Sequence, residues 1–367
     1  MTRTRAVLSG IVLLFFAWTM LVAWSRWELS EIPGDYQCFD RAAGRFLAGE
    51  PIYVHEWDHF DSPPYFVWLT LPAHALGRVG GSALATITGL LCSALALLLV
   101  RRSITPTPSP DAMLLAALYV PLWLSAAIGQ WGGAFFAVFA AGLFFATRAR
   151  PLEAGLVLSL LLFKPPLAIF VLPIVAIGLG KRAIAGIAIG ALVCALLSLP
   201  LGLPVWSAWI DQLAWAQGAQ AIAQHRWQHH TLLGSLRALG VDRAIWLVIA
   251  APLGIASIAL GARLLRANEP VRGFALAILA TIALSPYLRY YDSQIVLVPV
   301  LALPAKRSPL VGILALAYLL MACLDAAYFQ DQAQVPVEGL LVTGWLVLTL
   351  REALGWPRRS VIDPVVP

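Results

Sequence analysis

Runs of about twenty consecutive apolar residues constrain this chain more than any other feature, because a helix that long crosses roughly 30 Å of hydrocarbon with every amide bonded internally. Ala6–Trp24, Ser82–Val100, Ala183–Leu201 and Ala244–Ala262 reach that length. Met113–Ile128, Gly133–Thr147, Phe274–Leu284, Ile295–Pro304, Leu310–Cys323 and Gly339–Leu350 are shorter candidates, and Ala154–Phe163 and Leu167–Leu179 are too short unless they stop inside a protein-lined cavity. Composition agrees: 60% of residues are hydrophobic and 12% charged, against about 45–50% and about 25% in an average soluble domain. The expected fold class is therefore all-α, a polytopic transmembrane helical bundle.

Charge orders these runs. A net charge of +6 would invite a nucleic-acid reading, but the basic residues come as short pairs between apolar runs rather than as a stripe on one face, so nucleic acid is not expected as a partner. Lys and Arg accumulate in cytoplasmic loops, and an inside N-terminus places about 16 of the 25 there, including Arg3, Arg5, Arg101, Arg102, Arg148, Arg150, Lys181, Arg182, Arg263, Arg266, Arg272 and Arg351. About 14 of the 19 acidic residues fall on the other side. Tyr65–Gly77 breaks this alternation if it counts as a crossing, and reads instead as a re-entrant or interfacial segment. The expectation is about twelve crossings with both termini cytoplasmic, the first run being an uncleaved anchor.

The four cysteines, Cys38, Cys92, Cys194 and Cys323, show neither C-x-x-C nor metal-ligand spacing, so no disulfide framework, zinc site or redox chemistry is indicated. The chain reads as one integral-membrane domain with two long exterior loops, residues 26–65 and 202–243, of a length that in a compact bundle carries function. Many of the fourteen Trp lie in or beside the exterior segments, either as an interfacial belt or as stacking surfaces for sugar and lipid. The first loop contains an amphipathic helix: Pro33-Gly34 makes a turn, Asp35 suits the N-cap, Phe39, Ala42, Ala43, Phe46 and Leu47 recur at helical spacing, and Gly49 suits the C-cap. From spacing alone Asp35 is a cap or a catalytic acid.

Lys164, alone between apolar runs, marks a polar cavity by default, or else snorkels to the surface. Arg289 and Asp292 in Ser285-Pro-Tyr-Leu-Arg-Tyr-Tyr-Asp292 are a second polar group, readable also as a surface ion pair. A third is Gln224-His-Arg-Trp-Gln-His-His-Thr231 with His229 and His230, where His225 and His229 have helical metal-ligand spacing but no neighbouring carboxylate, so no metal is expected. His59 lies in the dense cluster His55-Glu-Trp-Asp-His-Phe-Asp61, a solvated loop or an acceptor contact. His74 is read as a buried hydrogen-bonded residue and Asp40 as the nearest spare carboxylate to Asp35.

Asp35-Tyr36-x-x-Phe39-x-x-Ala42-Ala43, then Gly49-x-x-Ile52-Tyr53, then Pro63-Pro64, resembles the first exterior loop of glycosyltransferase family 87, integral-membrane enzymes of the GT-C type that include bacterial mannosyltransferases using polyprenyl-phosphate sugars. Gly129-Gln130 opening a hairpin, Lys164-Pro165-Pro166 and Ser285-Pro286 before a Tyr/Asp cluster continue the likeness in order along most of the chain. His-His-Thr stands where family members often carry Asn before a Ser. The resemblance implies Asp35 as general base. It also implies a polyprenyl-phosphate-sugar donor carrying mannose or a pentose, a glycolipid or glycan acceptor, contact with membrane lipids, no cofactor, and a bacterial inner membrane with the site on the exterior face. Transfer to a hydroxyl needs a base at the acceptor proton and positive charge beside the departing phosphate, for which Lys164, then Arg289, His230 and His229 are the candidates, with Gln130, Tyr36, Asp292 and His59 as substrate contacts. One carboxylate implies a single inverting displacement, since retention needs a second as nucleophile. The competing readings are a lipid-linked-sugar flippase, disfavoured by polar residues crowding one side and the lack of inverted repeats, and a non-enzymatic assembly protein with a degenerate site.

Overall fold

The computed structural model describes residues 3–28, 36–55, 60–216, 230–302, 309–328 and 337–354. Every element among them is helical. The first half holds α1 (Arg3–Glu28), α2 (Tyr36–Ala48), α3 (Val67–Ala75), α4 (Gly77–Ser103), α5 (Pro110–Ala117), α6 (Val120–Ala127), α7 (Gly132–Ala146) and α8 (Pro151–Leu158). The second holds α9 (Pro165–Leu179), α10 (Lys181–Ser198), α11 (Pro204–Ala216), α12 (Leu232–Ala238), α13 (Arg243–Arg266), α14 (Pro270–Leu284), α15 (Leu297–Leu301), α16 (Pro309–Tyr328) and α17 (Glu338–Leu354).

Four of these, lying in α1, α4, α10 with its 3-10 extension to Leu201, and α13, are long and apolar enough to cross a membrane by themselves, and they are the four longest runs of the sequence. α5 and α6 pass that test only as a pair bent by 45°. The bend has a local cause: Pro121 has no N–H to return to the helix before it, and the indole of Trp123 caps the interruption by donating to the Ala117 carbonyl at 2.7 Å. The described part of the run Ile295–Pro304, up to residue 302, is not one apolar helix; Tyr290–Val296 is a buried 3-10 helix that continues into the five residues of α15.

The helices are inside out by the standard of a water-soluble protein. On α4 the small and polar residues Gly81, Thr86, Gly89, Ser93 and Ala96 are buried, while Leu91, Leu95 and Leu98 face outward. Lipid tails give apolar side chains no reason to turn inward, so helices associate through small residues that let backbones approach. Gly186 and Gly190 do this on α10, where a Cβ at either position would overlap Leu152 O or Ser159 Oγ. Tyr65–Gly77 forms no helix long enough to cross by itself: it folds as the 3-10 turn Pro64–Phe66 and the nine residues of α3, after which α4 begins at once. α2 is the amphipathic helix expected, burying Tyr36, Phe39, Ala42 and Ala43 and ending at Gly49, whose φ of +72° a side chain would resist. Leu47, assigned by spacing to its apolar face, lies exposed instead.

Candidate active site

Three motifs far apart in the chain meet at one end of the bundle. Lys164 stands before Pro165-Pro166, and the ring of a following proline forces the preceding residue out of the helical region; Lys164 accordingly has φ −140° and ψ 80°, separating the 3-10 turn Ser159–Phe163 from α9. Its ammonium is thereby turned onto Asp292, with Nζ at 2.6 Å from Oδ1 and 2.7 Å from Oδ2 and 4.8 Å from the centre of the Tyr291 ring. Asp292 has 1% of its side chain exposed and Lys164 17%. A buried carboxylate persists as an ion only when paired and hydrogen-bonded, and Asp292 Oδ2 also accepts the backbone N–H of Arg289 at 3.0 Å.

Ser285 ties the same corner together, donating from Oγ to the Pro166 carbonyl at 3.2 Å. His230, 1% exposed, donates its backbone N–H to Leu288 O at 3.1 Å, and its ring lies 6.3 Å from that of Tyr290. So Lys164, His230, Asp292 and the backbone of Arg289 are brought together. Asp292 is no member of a surface pair: it is buried, and Lys164 holds both of its oxygens. The Arg289 guanidinium carbon lies 5.4 Å from the centre of the Tyr287 ring.

Tyr36 and Gln130 form the adjoining part. The Tyr36 N–H donates to Ile128 O at 3.1 Å, and Gly129, at φ +73°, lets the turn pass beneath the Tyr36 side chain, where a Cβ would sit 2.7 Å from Tyr36 Cβ. Both residues line a crevice of about 100 Å³ with Phe39, Thr70, Thr88 and Trp131. Leu69 and Leu84 at its rim are outward-facing, so the crevice opens through the side of the bundle. Packed rings separate it from the ion pair: Trp131 on its wall contacts Phe66, and Phe66 contacts Phe163, the residue before Lys164, at 5.3 and 5.7 Å between centroids, while the missing Cβ of Gly132, next to Trp131, leaves room for Tyr291 O and Gln294 Nε2. Asp35, His59 and His229 lie outside the described residues.

The described parts of the two long loops pack on each other and on the helices beside them. Trp209 donates its indole N–H to Asp61 O at 2.9 Å, Trp68 donates to Leu197 O at 2.8 Å, and the His55 ring stacks on Trp215 at 5.2 Å. These tryptophans thus have packing roles that belt or sugar-stacking readings did not anticipate. His74 is hydrogen-bonded as expected, its Nδ1 2.7 Å from Asp40 Oδ1 and joining α3 to α2, but its side chain is 30% exposed rather than buried, because α3 lies at the edge of the bundle's described helices. The identity of its partner, and one further feature, escaped sequence reasoning. Tyr119 and Ser293 share a buried 2.8 Å hydrogen bond immediately beside Asp292. The only sequence signal for either was a polar residue inside an apolar run, which says nothing about its partner.

A family model, that of glycosyltransferase family 87, matches residues 60–286, well over half of the chain and including Gln130, Lys164, His230 and Ser285. No curated protein matches the chain, and no solved structure matches it.

Proposed function

The chain belongs to glycosyltransferase family 87 and is a glycosyltransferase, and from that premise we propose that it moves a single sugar from a polyprenyl-monophosphate carrier to a glycolipid or glycan on the exterior face of a bacterial inner membrane. Mannose is the sugar, with a pentose the alternative. The observation that carries the reading is the meeting of Lys164, Asp292, His230 and Ser285 beside a crevice that opens sideways through apolar helices. A lipid-borne phosphate needs this combination, a cation near the interface and a lateral path for the chain attached to it.

In this mechanism Asp35, one residue before Tyr36 in the sequence, takes the acceptor's hydroxyl proton. The oxygen then bonds to the anomeric carbon from the face opposite the phosphate, the bond from that carbon to the phosphate oxygen breaks, and polyprenyl phosphate departs. The anomeric configuration inverts. Lys164, with Arg289, His229 and His230, stabilises the charge that develops on the leaving phosphate, while Gln130, Tyr36, Asp292 and His59 contact the substrates; no metal is required.

The exterior placement rests on how the helices leave the site. α4 departs toward Arg101 and Arg102, α7 toward Arg148 and Arg150, α9 toward Lys181 and Arg182, and α14 arrives from Arg272. The cationic loops thus lie at the far ends, as expected when the site faces away from the cytoplasm. Arg5 pairs with Asp111 at 2.8 Å, which puts the start of α1 and the start of α5 on one face. The reading keeps about twelve crossings with both termini inside, beyond the four helices long enough to cross alone and the α5–α6 pair that makes a fifth if it is one span.

Donor choice tests the reading. Vesicles containing the protein should transfer radiolabelled sugar from a polyprenyl-phosphate donor and not from a nucleotide sugar. Transfer from the nucleotide sugar alone would overturn it.

A further inference from the structure

The break between α5 and α6 delivers one side chain to the interior of the bundle. Pro121 has no N–H for the Ala117 carbonyl four residues before it. The helix α5 ends there, the Trp123 indole takes that carbonyl at 2.7 Å, and Tyr119 is left in extended backbone, at φ −66° and ψ 109°, before α6 begins. The two helices meet at a bend of 45°. Tyr119 is buried, and its phenol oxygen lies 2.8 Å from Ser293 Oγ, 174 positions further along the chain.

The direction of that bond follows from proton counting. Ser293 Oγ donates to the Tyr290 carbonyl, and a serine hydroxyl has one proton, so Tyr119 is the donor. Tyr119, Ser293 and Tyr290 form one hydrogen-bonded chain across the first turn of the 3-10 helix Tyr290–Val296. Asp292, both of whose oxygens Lys164 holds, lies within that turn. A second clamp acts on the same turn: Gln294 Nε2 donates to the Tyr291 carbonyl at 2.8 Å, and Gln294 Oε1 accepts from Ser93 Oγ of α4 at 3.4 Å. Ser293 and Gln294 are both buried, and a buried polar group that loses its partner is costly to leave in place.

We propose that Tyr119 is a positioning residue of the transfer site: the α5–α6 bend brings its phenol onto Ser293, and that bond fixes the turn that presents Asp292 to Lys164. Its meaning for catalysis rests on the functional reading above, whereas its geometry is testable without any substrate. A tyrosine that only filled space would give way to phenylalanine with no consequence for Lys164.

The experiment measures how fast acetic anhydride acetylates Lys164 in the purified full-length protein, read by peptide mass spectrometry against Lys181, which is exposed at the start of α10. Asp292→Asn sets the scale for a released lysine. Tyr119→Phe and Ser293→Ala should each raise Lys164 labelling about three- to tenfold, the weight of one hydrogen bond. The two together should exceed neither by much, and Tyr119→Phe should add nothing in the Asp292→Asn background, since residues acting through one partner are non-additive. Tyr53→Phe is the control: it removes a phenol hydrogen bond of 2.7 Å, to the Ser62 carbonyl, and should leave Lys164 labelling unchanged. Unchanged labelling in both Tyr119→Phe and Ser293→Ala, an increase that multiplies with that of Asp292→Asn, or an equal rise in Tyr53→Phe overturns the proposal. In the transfer assay Tyr119→Phe should lower kcat with the donor KM little changed, the pattern of an interaction felt in the transition state. A protein that shows the labelling pattern but transfers no sugar contradicts the functional reading alone.

Discussion

Lys164 and Asp292, 128 positions apart, form a two-pronged ion pair at 2.6 and 2.7 Å with the carboxylate sealed from solvent and the ammonium partly open. The asymmetry matters. Asp292 holds the amine with both of its oxygens while part of the lysine side chain stays exposed. The pair contributes little net stability, since taking two charges out of water roughly cancels their attraction, but breaking it is costly.

Removing one partner should therefore hurt more than removing both. Lys164→Met strands the Asp292 carboxylate and should cost about 3 kcal/mol of stability, whereas Lys164→Met with Asp292→Leu should recover most of that while sugar transfer stays lost. Thermal unfolding in detergent beside a transfer assay reads both quantities. A double variant no more stable than the single one would show that the pair is not an isolated charge couple.

Gly132 should be intolerant of a single methyl group. Its Cβ would collide with Tyr291 O and Gln294 Nε2 and with Ser125 Oγ, pushing away the turn that carries Asp292. Gly132→Ala should cost about 1–3 kcal/mol and reduce transfer at least tenfold, about 1.4 kcal/mol in the barrier. Gly312→Ala, where nothing lies within 4 Å, is the control and should leave both unchanged.

The Asp40–His74 contact should prove structural. The pair is partly exposed and joins α2 to α3, a setting in which ion pairs are worth about 0–1 kcal/mol. Asp40→Asn should keep transfer within about threefold of the original enzyme, an effect of that same small energy. A loss as deep as that of Asp35→Asn would make Asp40 a second working carboxylate and reopen the question of retention.

Product stereochemistry checks the single displacement separately. Proton NMR of the product and the donor should show opposite anomeric configurations, as one base and no nucleophile require. Retention would mean a covalent glycosyl intermediate and a carboxylate that this mechanism does not use.

What was legible in the chain follows from the range of the physics involved. The four self-sufficient spans depend on local hydropathy, and all four lie where the longest apolar runs stand. The break at Lys164 was also local, set by the prolines after it. The bend between α5 and α6 falls inside the single apolar run Met113–Ile128, and the 3-10 course of Tyr290–Val296 was hidden because it straddles a polar Tyr/Asp cluster and the start of the apolar run at Ile295, which hydropathy alone does not join into one element. Pairings were the least accessible. Sequence proximity suggested Arg289 for Asp292, and Asp292 does accept the Arg289 backbone N–H, but the lysine that holds both of its oxygens comes from 128 residues away.

The most direct test of the whole account is the initial rate of radiolabelled sugar transfer from a polyprenyl-phosphate donor in membranes carrying Asp35→Asn, with protein levels matched to the original. The account predicts that turnover falls by at least about a hundredfold, the scale of a lost general base, while the protein remains folded and still binds the donor. Transfer at the original rate would contradict it, since no base would then reside at Asp35.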